Sequence, residues 1–180
     1  MPTINVSLRR VSVVSPKPFD EVVRRLTATI GRPDMDAFHS AIVAATTVSD
    51  LEDVVHGAIG PSELMEFGRF DAGEVLRKER SGHDSKLLRL VVGNPLIMKE
   101  MARTVPDAAS YAPVTILVDE RADGVHLSYD SMASLLAPYG SDAALSVARD
   151  LDAKIIGLLE TAARCHADQD EAPGAFGTPH

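Results

Sequence analysis

An imidazole, two carboxylates, an amide and two phenols stand beside the apolar runs of this sequence: His126, Asp130, Glu66, Asn94, Tyr111 and Tyr129. His126 with a carboxylate such as Asp130 or Glu66 has the groups that acid-base catalysis needs. An imidazole titrates near neutrality, and a carboxyl group holds or takes a proton when its surroundings shift it. Asn94, Tyr111 and Tyr129 offer hydrogen bonds to a small ligand instead. The stretch LVVGNPLIMKEM, residues 90–101, adds backbone donors, because an apolar strand passes through Gly93, Asn94 and Pro95 into a helix whose first amides lack internal acceptors and carry partial positive charge. A phosphate loop needs more glycines and a lysine, so this junction has room for one small anionic group where a cavity opens beside it. The same residues also explain themselves as structure: Gly93 releases the strand, Asn94 caps the helix, and Pro95 suits the first helical position, where its missing N–H needs no partner.

Other chemistry is weakly represented. His39, His56, His83 and His126 have no paired ligand spacing, and no HExxH, CxxC, Walker-type loop or GxSxG elbow occurs, so neither a metal nor a cofactor is expected. Ser62, Ser110 and Ser131 have no base in the sequence to pair with as nucleophiles. Asp119 falls opposite His126 on a hairpin, where a solvent-facing pair contributes about 0.2–1 kcal/mol of cross-strand attraction. Met98 and Met101 lie at helical spacing with Ile97 and Val105 and read as adaptable core filler.

Composition bounds the setting of these groups. The chain has 180 residues, 45% of them hydrophobic, enough for one domain with a sizeable core. Its net charge of −8 works against a nucleic-acid surface, which needs a clustered basic face. No apolar run approaches the roughly 20 residues that span a bilayer, so no membrane contact is expected. The lone Cys165 and the lack of a signal-peptide pattern point to the cytoplasm.

The elements that must position the candidate groups follow from periodicity. Arg9 to Ser15 reads as a strand, with Ile4, Val6 and Leu8 in opposite parity and reconciled by a bulge near Arg9-Arg10. Phe19, Val22, Val23, Leu26 and Ile30 give an amphipathic helix ended by Gly31 and Pro33. Two helices, Met35 to Ala45 and Asp50 to Ala58, form an insertion at about 32–58, the second opened by a Ser49/Glu52 capping box. Leu64 to Phe70 is a strand before the turn-like Asp71-Ala72-Gly73, and Ser85 to Gly93, apolar on both faces, is a central strand.

Val114 to Glu120 and Val125 to Asp130 form a hairpin around Arg121-Ala122-Asp123-Gly124, with Val118 opposite Leu127 and Ile116 opposite Tyr129. A short helix or turn spans Ser131 to Leu136. Ser141 caps a long helix to Ala163 that buries Leu145, Ala148, Leu151, Ile155, Leu158 and Ala162 and pairs Asp150 with Lys154 outside. Residues 1–164 are thus expected as one domain and 165–180 as a disordered tail.

The ordered stretches GPSELMEFGRFDAG (60–73), VVGNPLIMKEM (91–101), YAPVTILVDE (111–120), VHLSYD (125–130) and VARDLDAKIIGLL (147–159), together with the PFDEVVRRL helix, resemble the bacterial and archaeal domain of unknown function family 302, DUF302. The resemblance extends from about Arg9 to Ala163, apart from part of the insertion. It implies an α+β domain of the TATA-box-binding-protein-like type, β-α-β(4)-α, with a curved antiparallel sheet and a long closing helix. It also implies a homodimer, and a concave sheet or helix-lined cavity for a ligand. The family often has Pro-Cys where this chain has Pro113-Val114, so a thiol-based redox or soft-metal role is not expected here.

The expectation is therefore a non-catalytic cytoplasmic module that binds a small organic or anionic ligand, in a cavity or at a dimer interface, through Asn94, Tyr111 and Tyr129. The competing expectations are an enzyme using His126, Asp130 or Glu66 on a small molecule, and a structural dimerisation module.

Overall fold

The structure, a computed structural model, describes residues 3–79 and 86–164. The expected tail at 165–180, Cys165 and His83 lie outside the described residues. Five strands, β1 (Arg10–Ser15), β2 (Met65–Asp71), β3 (Leu87–Gly93), β4 (Val114–Arg121) and β5 (Gly124–Asp130), form an antiparallel sheet in the order β1-β5-β4-β3-β2. Helices α1 (Phe19–Thr27), α2 (Met35–Ala44) and α3 (Val48–Ala58) follow β1, and α4 (Ala72–Glu79) follows β2. Between β3 and β4 lie α5 (Pro95–Ala102) and α6 (Ala108–Tyr111). After β5 come α7 (Met132–Leu136), one 3-10 turn and the 22-residue α8 (Asp142–Ala163). No described helix is long and apolar enough to cross a membrane.

Strand alternation sends one set of side chains inward. Leu88, Leu90 and Val92 of β3, Val114, Ile116 and Val118 of β4, and Val125, Leu127 and Tyr129 of β5 are all buried, in one core with Val22 and Leu26 of α1 and Ala148, Leu151, Ile155 and Leu159 of α8. Burying a side chain of this size contributes about 1.5–3 kcal/mol, which is what holds α1 and α8 on the sheet. On the other face of β3, Leu87 and Val91 are half-buried, as expected for an interior strand.

The hairpin has the expected register, Ile116 opposite Tyr129 and Val118 opposite Leu127. Its loop is tighter than expected: Arg121 pairs with Gly124, leaving Ala122 and Asp123 to turn the chain. Gly124 has φ +135°, and a Cβ there would stand 2.7 Å from the Ser15 carbonyl oxygen, so the position needs glycine twice over.

Several local readings are corrected. Residues 3–9 form no strand, Ile4 and Leu8 are exposed, and the bulge lies in β2 between Glu66 and Gly68. The capping box of α3 is Thr47 with Asp50, not Ser49 with Glu52: Thr47 Oγ1 accepts from Asp50 N at 3.1 Å and Asp50 Oδ2 accepts from Thr47 N at 2.9 Å. The turn expected at Asp71-Ala72-Gly73 instead starts α4, with Asp71 Oδ1 accepting from Glu74 N at 2.9 Å. Lys154 bonds Glu63 rather than Asp150.

The insertion is pinned at its neck by two glycines. Leu64 O accepts from both Gly31 N (2.9 Å) and Gly60 N (3.0 Å), and a Cβ on Gly31 or Gly60 would come within 2.1 or 2.3 Å of a backbone oxygen. Beyond the neck, Phe38, Val55, Ala58 and Met65 form a second small core that Phe67 and Leu96 join. The helical pair thereby becomes a wall beside the start of α5.

Candidate functional site

The strand-to-helix junction does what its residues require. Asn94 Oδ1 accepts from Leu96 N at 2.8 Å, Pro95 fills the first helical position, and Met98 N donates to Asn94 O at 3.0 Å. The Asn94 amide also donates to Glu63 O at 2.9 Å, tying the β3 exit to the turn before β2. Of the first amides of α5, Pro95 has no hydrogen and those of Leu96 and Met98 are used. Ile97 alone retains capacity for a bound group.

Beside this junction opens a pocket of about 150 Å³. Phe67, Pro95, Ile97, Met98, Met101 and Pro113 make most of its wall, with Asn94 at its polar edge and Leu151 of α8 facing it. Gly93 lets the pocket close: a Cβ there would lie 3.1 Å from Pro113 Cβ and 3.6 Å from the Phe67 ring. The pocket is partly open to solvent, and its apolar space is about the volume that a benzene-sized group fills.

A second, more polar groove of about 290 Å³ shares Asn94, Ile97 and Leu151 with the pocket and adds His56 of α3, Glu63, and Asp150 and Lys154 of α8. The Lys154 ammonium is bonded to the Glu63 carboxylate, which it holds below the usual carboxylate range. Glu63 is the one non-glycine described residue with positive φ, +60°. That conformation costs about 1–3 kcal/mol and is held here by the bonds from Asn94 and Lys154. Asp150 has neither ion pair nor hydrogen-bond partner among the described residues.

The other residues singled out from the sequence are dispersed. Asp119 and His126 are opposite in register, but His126 Nε2 bonds Asp123 Oδ1 at 2.8 Å and Arg121 holds Asp119. Asp130 takes a two-pronged bond from Arg10 at 2.7 and 2.8 Å on the edge pair β1–β5. Burial pushes the Glu66 carboxyl up, but Arg69, at 2.8 Å, and Arg32, at 3.4 Å, outweigh it and leave the group below its ordinary range. Tyr111 donates to or accepts from the Tyr139 hydroxyl at 2.9 Å, and this bond raises the Tyr139 phenol to about 12. Tyr129 is buried in the core. Of the six groups, Asn94 lines the pocket and the groove; His126, Asp130, Glu66, Tyr111 and Tyr129 line neither.

One buried polar centre escaped the sequence reading. Asp152 of α8 is 5% exposed and accepts from Tyr129 Oη (2.7 Å), Ser131 Oγ (2.5 Å), Met132 N (2.8 Å) and Ala133 N (3.3 Å). It satisfies the free amides at the start of α7 from another helix. Burial first, then the Asp152 charge, pushes the Tyr129 phenol far above its ordinary 10.0. A signal existed: Asp152 lies four residues after Ala148 and three before Ile155, within the apolar stripe. Among the described residues no group of three or more His, Cys, Asp or Glu side chains stands ready for a metal.

An antiparallel five-stranded sheet backed by a long C-terminal helix, with an apolar pocket at the β3–α5 junction, defines a mixed α+β domain. The chain belongs to the family described as Domain of unknown function DUF302, whose model matches residues 39–162. The crystal structure of the uncharacterized conserved protein DUF302 from Bacillus stearothermophilus is similar in fold, with a TM-score of 0.59, 12% identity, and coverage of 85% of this chain and 97% of that one. No curated protein matches the chain. Strand β1 and helix α1 precede the matched residues, yet their side chains complete the core.

Proposed function

We propose that the protein is a non-catalytic binding module that takes a small apolar organic group, of about benzene size, into the pocket at the β3–α5 junction. The observation that carries this reading is the pocket itself: about 150 Å³ of space walled by Phe67, Ile97, Met98, Met101 and Pro113, with one polar edge at Asn94. Asn94 orients a ligand only with the capacity left after capping α5. An acid-base enzyme built on His126, Asp130 and Glu66 has less support, because each is engaged by Asp123, Arg10 or Arg69 and none of them lines the pocket or the groove. The expected order β-α-β(4)-α is interrupted, since α4 lies between β2 and β3 and α5 and α6 between β3 and β4; a TATA-box-binding-protein-like topology is supported only by the opening β1–α1 pair, the antiparallel sheet and the closing α8.

Thermal unfolding with and without benzene tests the reading. Benzene at ten times its Kd stabilises by about 1.4 kcal/mol, and a domain of this size gains about 2–4 °C in Tm per kcal/mol. Met98→Trp, which fills the pocket from a half-buried position, is expected to fold and to lose this shift. No saturable shift with benzene, or an undiminished shift in Met98→Trp, would sink the proposal.

A further inference from the structure

We infer that the ligand class is a small apolar primary amine, aryl or branched alkyl, with its apolar end in the β3–α5 pocket and its ammonium in the adjoining groove against Asp150 and Glu63. This rests on the pocket reading above and adds the charge and chemical class of the ligand.

The two spaces are neighbours, since Asn94, Ile97 and Leu151 line both. Leu151 stands between the two: its side chain borders the apolar pocket, and the residue before it, Asp150, lines only the groove. Val147, Asp150, Leu151 and Lys154 fall at helical spacings of three and four, which gathers them on one face of α8. A small molecule with an apolar body and a polar head matches that order of surfaces.

The sign of the head follows from the charges. Glu63 and Asp150 bring two negative charges to the groove, Lys154 one positive and His56 an imidazole, and the Lys154 charge is already bonded to Glu63. A carboxylate entering here would meet a lysine that is taken and a carboxylate, Asp150, that is not. An ammonium would meet the unpaired Asp150, and its remaining hydrogens could reach acceptors with capacity to spare, including Asn94 Oδ1, which uses one of its two lone pairs on Leu96 N. The chain's net charge of −8 acts in the same direction at longer range.

Calorimetric titration of the full chain with benzylamine, benzyl alcohol and benzoate, at low salt and about pH 8, where imidazoles are neutral, separates the possibilities. Benzylamine is expected to bind about fivefold more tightly than benzyl alcohol, the upper end for one solvent-exposed ion pair, with benzoate weakest. Asp150→Asn, an exposed and unpartnered position, should erase the amine's advantage over benzyl alcohol. Equal binding of the amine and the alcohol, or an amine advantage that survives both Asp150→Asn and Glu63→Gln, overturns the amine class while the apolar pocket stands. Benzoate as the tightest probe overturns it in favour of Lys154 as the anchor. Failure of all three probes removes the pocket reading and this inference together.

Discussion

Asp152→Ala should be among the most damaging single substitutions in this protein, although the residue lines neither the pocket nor the groove. The carboxylate is almost dry and receives four hydrogen bonds from Tyr129, Ser131, Met132 and Ala133. Alanine leaves at least two of these buried donors without an acceptor, at about 1–3 kcal/mol each, for a total of about 2–6 kcal/mol. Part is recoverable, because Met132 N also lies 3.2 Å from Tyr129 Oη, whereas the Ser131 hydroxyl hydrogen is left without its acceptor. A loss near 4 kcal/mol corresponds to roughly 10 °C in Tm for a domain of this length.

Tyr129→Phe removes one donor and leaves Asp152 with three, so it should cost only about 1–2 kcal/mol. The double substitution should cost less than the sum of the two, since phenylalanine deletes a hydroxyl that Asp152→Ala strands. Urea denaturation followed by circular dichroism, at unchanged m-value, gives all four corners of the cycle. Additive losses, or an Asp152→Ala variant within about 1 kcal/mol of the parent, would refute the idea that these groups act as one buried unit.

Two further outcomes are expected. Glu66 has a folded-state pKa below its ordinary 4.5, so it contributes stability above that value and loses it as pH falls through the lower, folded value. Glu66→Gln should therefore be destabilising at neutral pH, and the gap between variant and parent in urea midpoint should close below pH 4.5; a gap that widens in acid would reverse the assignment. Thr47→Ala should cost about 1 kcal/mol through loss of the α3 cap, and Ser49→Ala close to nothing. Equal costs at the two positions, read by urea melts, would contradict the observed cap.

What could be read from the sequence was whatever depends on parity and on one residue's immediate neighbours. The hairpin register was legible because shifting Val114, Ile116 and Val118 by one residue would turn all three outward. Asn94 and Pro95 were legible because capping is a property of two or three consecutive residues. The capping box of α3 failed for a related reason: Thr47-x-x-Asp50 and Ser49-x-x-Glu52 overlap, and only the point at which the chain enters the helix decides between them. The placing of Asp119 opposite His126 was legible from parity, but their contact was not, because the tight loop brings Asp123, which follows no strand parity, onto the imidazole. The pocket could not be read at all. Its walls come from β2, the β3–α5 junction, the segment before β4, and α8, and no local pattern encodes their distances.

The junction at Gly93-Asn94-Pro95 joins these two kinds of information. Each of its residues is explained by strand exit and helix capping, and that structural duty uses the very amides that would have bound an anion. Asn94 spends Oδ1 on Leu96 N and one amide hydrogen on Glu63 O; Pro95 has no hydrogen to give. A helix start consumed by its own cap cannot also be a strong anion site. Gly93, by carrying no Cβ, brings Pro113 and Phe67 against the strand end and makes an apolar wall, and Glu63, held by Asn94 in a left-handed conformation, presents its carboxylate to α8. In the proposed binding module the junction's contribution is therefore positional, and the charges beside the pocket are those of Glu63, Asp150 and Lys154.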